Sequence, residues 1–231
     1  MIRLSASAIK DFLSCSKKYY YRRYFKSLAE PTSPLIRGTI VHATLEKYWD
    51  NKKQALDYAR KSCLDYNLTA SDGDTVLANI GRYFESFHWL LDKNDKVEQF
   101  FEFPYAKGVK LVGKYDRITV ANSLIDWKTS KEKPKELALS QDPQFILYEW
   151  VYKQMYGNRP SATYLASLTH QVIVPYRVNL IAETILIDEV IPSILEQIRA
   201  KLFTPDGYFS YRQSPCWNCT YKEACHNELS G

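Results

Sequence analysis

The feature that most restricts the fold of this chain is a change of period near residue 97. Val97–Tyr105, Val109–Val120 and Ser123–Trp127 are rich in β-branched and aromatic residues, with turn residues at Lys107-Gly108 and Ala121-Asn122. Runs joined by such short turns read as neighbouring strands. Before them the spacing is helical. Ser5 or Ser7 is placed to cap a helix running to about Phe25, with Cys15 inside it or at a break. Leu35–Tyr66 carries Val41, Leu45, Tyr48 and Trp49 on one side, and Asp74–Leu91 is anchored by Phe84, Phe87 and Leu91. After the strand block, a helix is expected over Glu136–Tyr156, stopping at Gly157-Asn158. Strands follow at Ala162–Leu168 and Gln171–Val178, then a helix at Ala182–Phe203 that Pro192 should kink or split. The pattern is α/β with a helical N-terminal half, without internal repeat or interdomain linker.

With 45% hydrophobic and 25% charged residues the chain can bury a core, which excludes a disordered or low-complexity segment. No apolar run approaches the ~18–20 residues that span a bilayer, and no long apolar core follows Met1, so the expectation is a cytoplasmic protein with no membrane partner. The net charge of +5 is concentrated: residues 1–50 hold nine Lys/Arg against four Asp/Glu, a difference that accounts for the whole excess. From Lys17 to Lys26 every residue is basic or aromatic. Cations neutralise phosphates and aromatic faces stack on bases, so the stretch suits single-stranded nucleic acid through Lys17, Lys18, Tyr20, Arg22 and Arg23. An amphipathic helix with tyrosines inward and cations solvated accounts for the same residues, and the two readings are compatible.

The five cysteines in a chain of this kind argue against a disulfide framework. Cys216-x2-Cys219-x5-Cys225 leaves a four-ligand metal or cluster site one ligand short. Cys63 shares a helix face with Leu56, Ala59 and Tyr66 and reads as core. Cys15, at the edge of the basic stretch, is the better fourth ligand.

Gly108-x4-Gly113-Lys114 looks like a phosphate-binding loop, but Tyr115 stands at the Ser/Thr position and the surroundings read as strand, so no ATP site is expected. The stronger constellation is Gly113-x2-Asp116-Arg117 followed by Asp126-Trp127-Lys128-Thr129. Asp-x-Lys alone carries little, since it recurs at Asp50-x-Lys52. Its context matters more. Leu124-Ile125 enters as a buried strand, so alternation puts Asp126 and Lys128 on one face, and a hairpin can bring Asp116 close enough to share a divalent cation. Such an ion acidifies water and offsets charge on a scissile phosphate, with Lys128 beside the water. A structural salt bridge among Asp116, Arg117, Asp126 and Lys128 explains the same residues. His42, on an apolar helix, is by itself an ordinary core histidine. Gln144 and Tyr148, four residues apart, can project over one site.

Taken in order, Cys15, Gly-x3-His42, Gly-x2-Asp116-Arg, Asp126-x-Lys128-Thr, Gln144-x3-Tyr148 and Cys216-x2-Cys219-x5-Cys225 resemble the RecB-like nuclease branch of the PD-(D/E)xK superfamily. More narrowly, the set resembles its iron–sulfur members, which include the CRISPR-associated RecB-like exonucleases and the AddB nuclease domain. The resemblance spans Ser5 to Cys225. It departs at Ser16, where many relatives carry Pro, and has Asp126 where many have Glu. It implies a restriction-endonuclease-like fold, a central mixed sheet flanked by helices, over 1–231 as a single domain. Residues 1–95 would be mainly helical with the first cluster ligand and His42, 96–180 the nuclease core, and 181–231 the C-terminal helix and cysteine cluster. It implies His42, Asp116, Asp126 and the backbone carbonyl of Trp127 as ligands of Mg²⁺ or Mn²⁺, and Asp116, Asp126, Lys128, Gln144 and Tyr148 as the catalytic set. Cys15, Cys216, Cys219 and Cys225 would hold an iron–sulfur cluster, [4Fe–4S] favoured over [2Fe–2S], that staples the chain ends together, and Arg117 joins the residues facing DNA.

The function expected is that of a metal-dependent DNA nuclease, an exonuclease on single strands or duplex ends. It would work with a helicase or with a CRISPR-adaptation or recombination partner, because the chain has no room for a helicase of its own. The alternative is a non-catalytic nucleic-acid-binding module whose cysteines hold structural zinc or a cluster and whose carboxylates are merely paired.

Overall fold

The computed structural model describes residues 1–25, 31–205, 216 and 219–230. The chain begins with a short strand, β1 (Ile2–Ser5), then helices α1 (Ala6–Ser14), α2 (Ser16–Tyr24), α3 (Ser33–Tyr48), α4 (Lys52–Asp65) and α5 (Ala70–Ser86). A 3₁₀ turn (His88–Leu90) leads into strands β2 (Lys96–Ala106), β3 (Val109–Ile118) and β4 (Leu124–Lys128). These are followed by α6 (Glu136–Leu139), α7 (Pro143–Tyr156), β5 (Thr163–Ser167) and β6 (Val172–Pro175). Then come α8 (Leu180–Thr184), a π-helical stretch (Ile185–Val190), α9 (Ile191–Arg199) and α10 (Lys222–Ser230). Among the described residues no helix is long and apolar enough to cross a membrane.

Helices start and stop where local chemistry allows it. Ser5, Asn51, Thr69 and Asp142 accept backbone amides at the starts of α1, α4, α5 and α7. Gly157, at φ 81°, closes α7 in the left-handed conformation that glycine adopts without penalty. The first helical stretch breaks at Cys15, one of the two places the sequence left open for that residue, where the backbone is extended at φ −170°, and it is preceded by β1, too short to show a period. Two expectations need correction. The pattern over 35–66 is two helices, because Asn51 is extended at φ −129° and caps a new start. That over 136–156 is also two, parted before Pro143. The irregularity expected at Pro192 is there: Pro192 stands second in α9, directly after the π-helical stretch, whose wider turn accommodates its missing amide. Lys26, the end of the basic stretch, lies outside the described residues.

The chain forms two compact units, one of Met1–Glu30, Pro104–Val112 and Asn179–Gly231, the other of Pro31–Phe103 and Gly113–Val178. In the larger unit the strand order is β3-β4-β5-β6, with β2 also on β3. β3 and β4 are antiparallel, β4 and β5 parallel with Asp126 opposite Leu165, and β5 and β6 antiparallel. Ile40, Val41, Leu45, Ala55, Ala59, Cys63, Val76, Ile80, Tyr83 and Phe87, from α3 to α5 and the turn after it, pack with Ile125, Trp127, Ala166 and Leu168 of the sheet in one apolar core. This is the mixed sheet flanked by helices that the family resemblance implied. In the smaller unit β1 runs parallel to the start of β3, from Ile2 opposite Val109 to Ser5 opposite Val112, and α9 packs on α1.

Candidate active site

The β3–β4 register pairs Arg117 with Ile125, so its continuation sets Asp116 across from Asp126. Alternation sends Trp127 to one face, where its indole meets Tyr83 edge-on at 5.4 Å and lies 5.9 Å from Phe87. Asp126 and Lys128 therefore face the other way, toward α7. There Lys128 Nζ lies 2.8 Å from Asp126 Oδ2 and donates to Gln144 Oε1 at 3.2 Å, and Gln144 Nε2 donates to Asp126 Oδ1 at 2.6 Å. Asp142 caps α7 by accepting the Gln144 amide at 2.8 Å, which begins the helix beside the residue whose side chain reaches the site.

Asp116 is held from two directions. Its Oδ2 accepts the Trp127 amide at 2.8 Å, and its Oδ1 is 3.4 Å from His42 Nδ1 on α3. The same His42 nitrogen is 3.9 Å from Glu98 Oε1 on β2, and Lys114 caps the other Glu98 oxygen. His42, Glu98 and Asp116 each offer a ligand atom within 4.8 Å of the others, with Asp126 across the hairpin. Sequence reasoning missed Glu98. Its one signal was an acid inside a Phe-rich strand, which by alternation alone reads as an outward residue.

Tyr148 donates to the Lys114 carbonyl at 2.9 Å, and its ring packs edge-on against Phe101 and Tyr115. It thereby fastens β3, and the same hydroxyl meets the Gln144 side chain beside the Asp126 and Asp116 carboxylates, so Gln144 and Tyr148 do project over one site. The motif glycine has a steric reason: a Cβ on Gly113 would lie 2.4 Å from Phe101 Cζ, so any side chain would push this aromatic layer apart.

Burial works against charge throughout the cluster. It acts to lower the pKa of His42, but the carboxylates of Asp116, Glu98 and Asp126 overcome it and raise the imidazole to about 10. Burial acts to raise Asp116, yet the facing His42 and Lys128 hold it below the usual carboxylate range. Asp126 goes the other way, raised by burial and by the charge of Asp116 against the pull of Lys128. Lys128 stays charged because Asp126 and Asp116 outweigh its burial. Two neighbouring carboxylates with opposed shifts are a recurring arrangement in acid–base and metal sites. An imidazole nitrogen gathered with carboxylates, Asp126 across the hairpin and a surplus of negative charge are the donor chemistry that suits a divalent cation such as Mg²⁺ or Mn²⁺.

Arg117 requires a correction. It is 1% exposed rather than on a DNA path: its Nε meets Asp95 Oδ2 at 2.8 Å, a terminal nitrogen donates to the Asp92 carbonyl at 2.9 Å, and the guanidinium lies 4.2 Å from the Trp49 ring centre. Its charge is consumed inside the fold. The Trp127 side chain belongs to the core, while its amide serves Asp116.

In the smaller unit the basic stretch is α2. Lys17 pairs with Glu228 at 2.6 Å, and Asp11 takes both Lys18 at 3.0 Å and Arg22 at 2.6 Å. Tyr20 lies among Tyr21, Tyr24, Phe25 and Phe203, while Arg23 is exposed. Beside α2 one small cavity is lined by Cys15, Cys216, Cys219 and Cys225. Thr204 brings the returning chain there by accepting the Lys17 amide at 3.1 Å and donating its own amide to Ser16 at 2.8 Å. Burial first, then the neighbouring sulfurs, push the Cys219 and Cys225 thiols upward. Such mutual repulsion is what a cation or cluster between them would relieve. Cys63 is buried elsewhere, in the apolar core of the larger unit.

A search of the curated proteins finds no match. Among solved structures, a "Putative exonuclease" from Eubacterium rectale superposes with a TM-score of 0.59 at 15% identity, covering 87% of this chain and 82% of its own. At that identity it shows the fold. A family model described as the PD-(D/E)XK nuclease superfamily matches residues 3–226. The match takes in β3, β4, α7 and nearly all the rest of the chain, and the chain belongs to the PD-(D/E)XK nuclease superfamily.

Proposed function

We propose that this protein is a metal-dependent DNA nuclease of the RecB-like branch, acting as an exonuclease on single strands or DNA ends. The observation that carries the reading is the hairpin that opposes Asp116 to Asp126, with Lys128 bound to the latter and His42 to the former. Asp116, Asp126, His42 and the Trp127 carbonyl would hold Mg²⁺ or Mn²⁺, which when bound acidifies water and offsets charge on the scissile phosphate. Lys128, kept cationic by its carboxylates, orients the attacking water and favours its deprotonated form. Gln144 fixes the Lys128 ammonium and the Asp126 carboxylate relative to each other. The exonuclease description of the structural neighbour agrees with this reading. In the smaller unit the four cysteines would hold an iron–sulfur cluster, [4Fe–4S] or [2Fe–2S], since four thiolates facing one cavity suit either.

The test is hydrolysis of 5′- and 3′-labelled single-stranded and duplex DNA with added Mg²⁺ or Mn²⁺. Asp126→Ala should abolish cleavage while DNA binding is kept, and Lys128→Ala should slow it by ~10²-fold or more, the scale of losing a positioned charge. Wild-type rates in both variants would sink the enzyme and leave a binding module.

A further inference from the structure

Glu98 stands at φ 51°, in the left-handed region that a residue with a Cβ enters only at a steric cost. The alternation of β2 slips at the same point, where Gln99 and Phe100 are both exposed. The backbone is thereby spent on turning one carboxylate inward, to 5% exposure, against His42 and Asp116. Asp126, by contrast, has one oxygen on Gln144 and the other on Lys128. Of the carboxylates here, Glu98 and Asp116 are thus the two that gather with the imidazole into one compact donor set.

The partner of Glu98 is Lys114, on the neighbouring strand two residues before Asp116. Its side chain is 47% exposed, so the ammonium reaches Glu98 from the solvent side. A buried carboxylate needs a counter-charge, and here a half-solvated cation provides one. We propose that Glu98 is a further ligand of the divalent cation and that Lys114 is its stand-in. When the cation takes Glu98, Lys114 is displaced toward solvent and becomes available to a phosphate of the bound strand. Metal loading would then switch on a DNA contact. This rests on the metal-dependent reading above, and adds to it one ligand and one strand-binding residue.

Two measurements on the full-length protein test it. Calorimetric Mn²⁺ binding without DNA should weaken about tenfold or more in Glu98→Gln, the scale on which metal sites respond to a lost partner. In Lys114→Met it should tighten about two- to fivefold, the worth of a half-exposed ion pair that no longer competes. The tightening guards against misfolding, which could only weaken binding, and metal-free melting curves check that Glu98→Gln is folded. The second measurement is the salt dependence of binding to nuclease-resistant phosphorothioate single strands. With Mn²⁺ the wild-type slope should exceed that of Lys114→Met by about 0.7, one phosphate contact, and without metal the two should coincide. Unchanged Mn²⁺ affinity in Glu98→Gln, or equal slopes with Mn²⁺, overturns the inference. Asp116→Ala separates the failures: if it loses Mn²⁺ while Glu98→Gln does not, only this inference falls, and if neither loses Mn²⁺ the metal-dependent reading falls as well.

Discussion

Gln144 Nε2 donates to Asp126 Oδ1 at 2.6 Å while its own carbonyl receives the Lys128 ammonium, so one amide sets the geometry of both. Gln144→Ala should leave Mn²⁺ binding nearly intact and lower kcat by about 10²-fold, the cost of a misplaced reacting group, with little change in KM. An equal loss in KM, with kcat preserved, would show that Gln144 serves DNA binding instead.

The four-cysteine cavity makes a spectroscopic prediction. Alanine at Cys15, Cys216, Cys219 or Cys225 should remove visible absorbance and bound iron and lower the melting temperature, because ligation there is coupled to folding. Cys63→Ala, a change in the apolar core of the other unit, should keep the colour. A colourless wild type carrying zinc would replace the cluster with a structural zinc site.

The Arg117–Asp95 pair should matter for stability and not for DNA. Both side chains are at most 2% exposed, so Arg117→Met leaves a buried, unpaired carboxylate at a cost of about 3–5 kcal/mol. Urea unfolding reads this directly, and an Arg117→Met/Asp95→Asn double variant should recover part of the loss, because it removes the stranded charge while keeping an acceptor for the Val120 amide. In folded Arg117→Met the salt slope of DNA binding should equal that of wild type. A flattened slope would return Arg117 to the DNA path.

On α2 the cations should contribute unequally. Arg23→Ala should flatten the single-strand salt slope by about 0.7. Lys17, Lys18 and Arg22, whose charges are shared with Glu228 and Asp11, should each contribute less. A full contribution from Lys17 would mean that DNA displaces Glu228.

Much of the site was legible because it depends on short-range periods. Two-residue alternation after Leu124-Ile125 already puts Asp126 and Lys128 on one face, and one turn suffices to fold Asp116 back across from Asp126. Four-residue helical spacing likewise aligns Gln144 with Tyr148, although the structure gives Tyr148 a fastening role through the Lys114 carbonyl. The cysteine spacing pointed to a missing fourth ligand, and Cys15 lines the same cavity as the other three.

Three features were settled only by tertiary structure. Arg117 follows Asp116 in sequence and resembles a surface cation, but Asp95, twenty-two residues earlier, and the Trp49 ring enclose it. Glu98 lies on a strand whose pattern would turn it outward, until a left-handed backbone turns it in. The helix expected over 35–66 ends at Tyr48 and restarts at Lys52, where extended Asn51 caps α4, and residues of both helices enter the same apolar core. By itself the sequence determined the features set by neighbours two to four residues apart: faces, caps and turns. Which distant charges meet depends on strand register and helix packing, and these are chosen by burial of the whole core rather than by any local spacing.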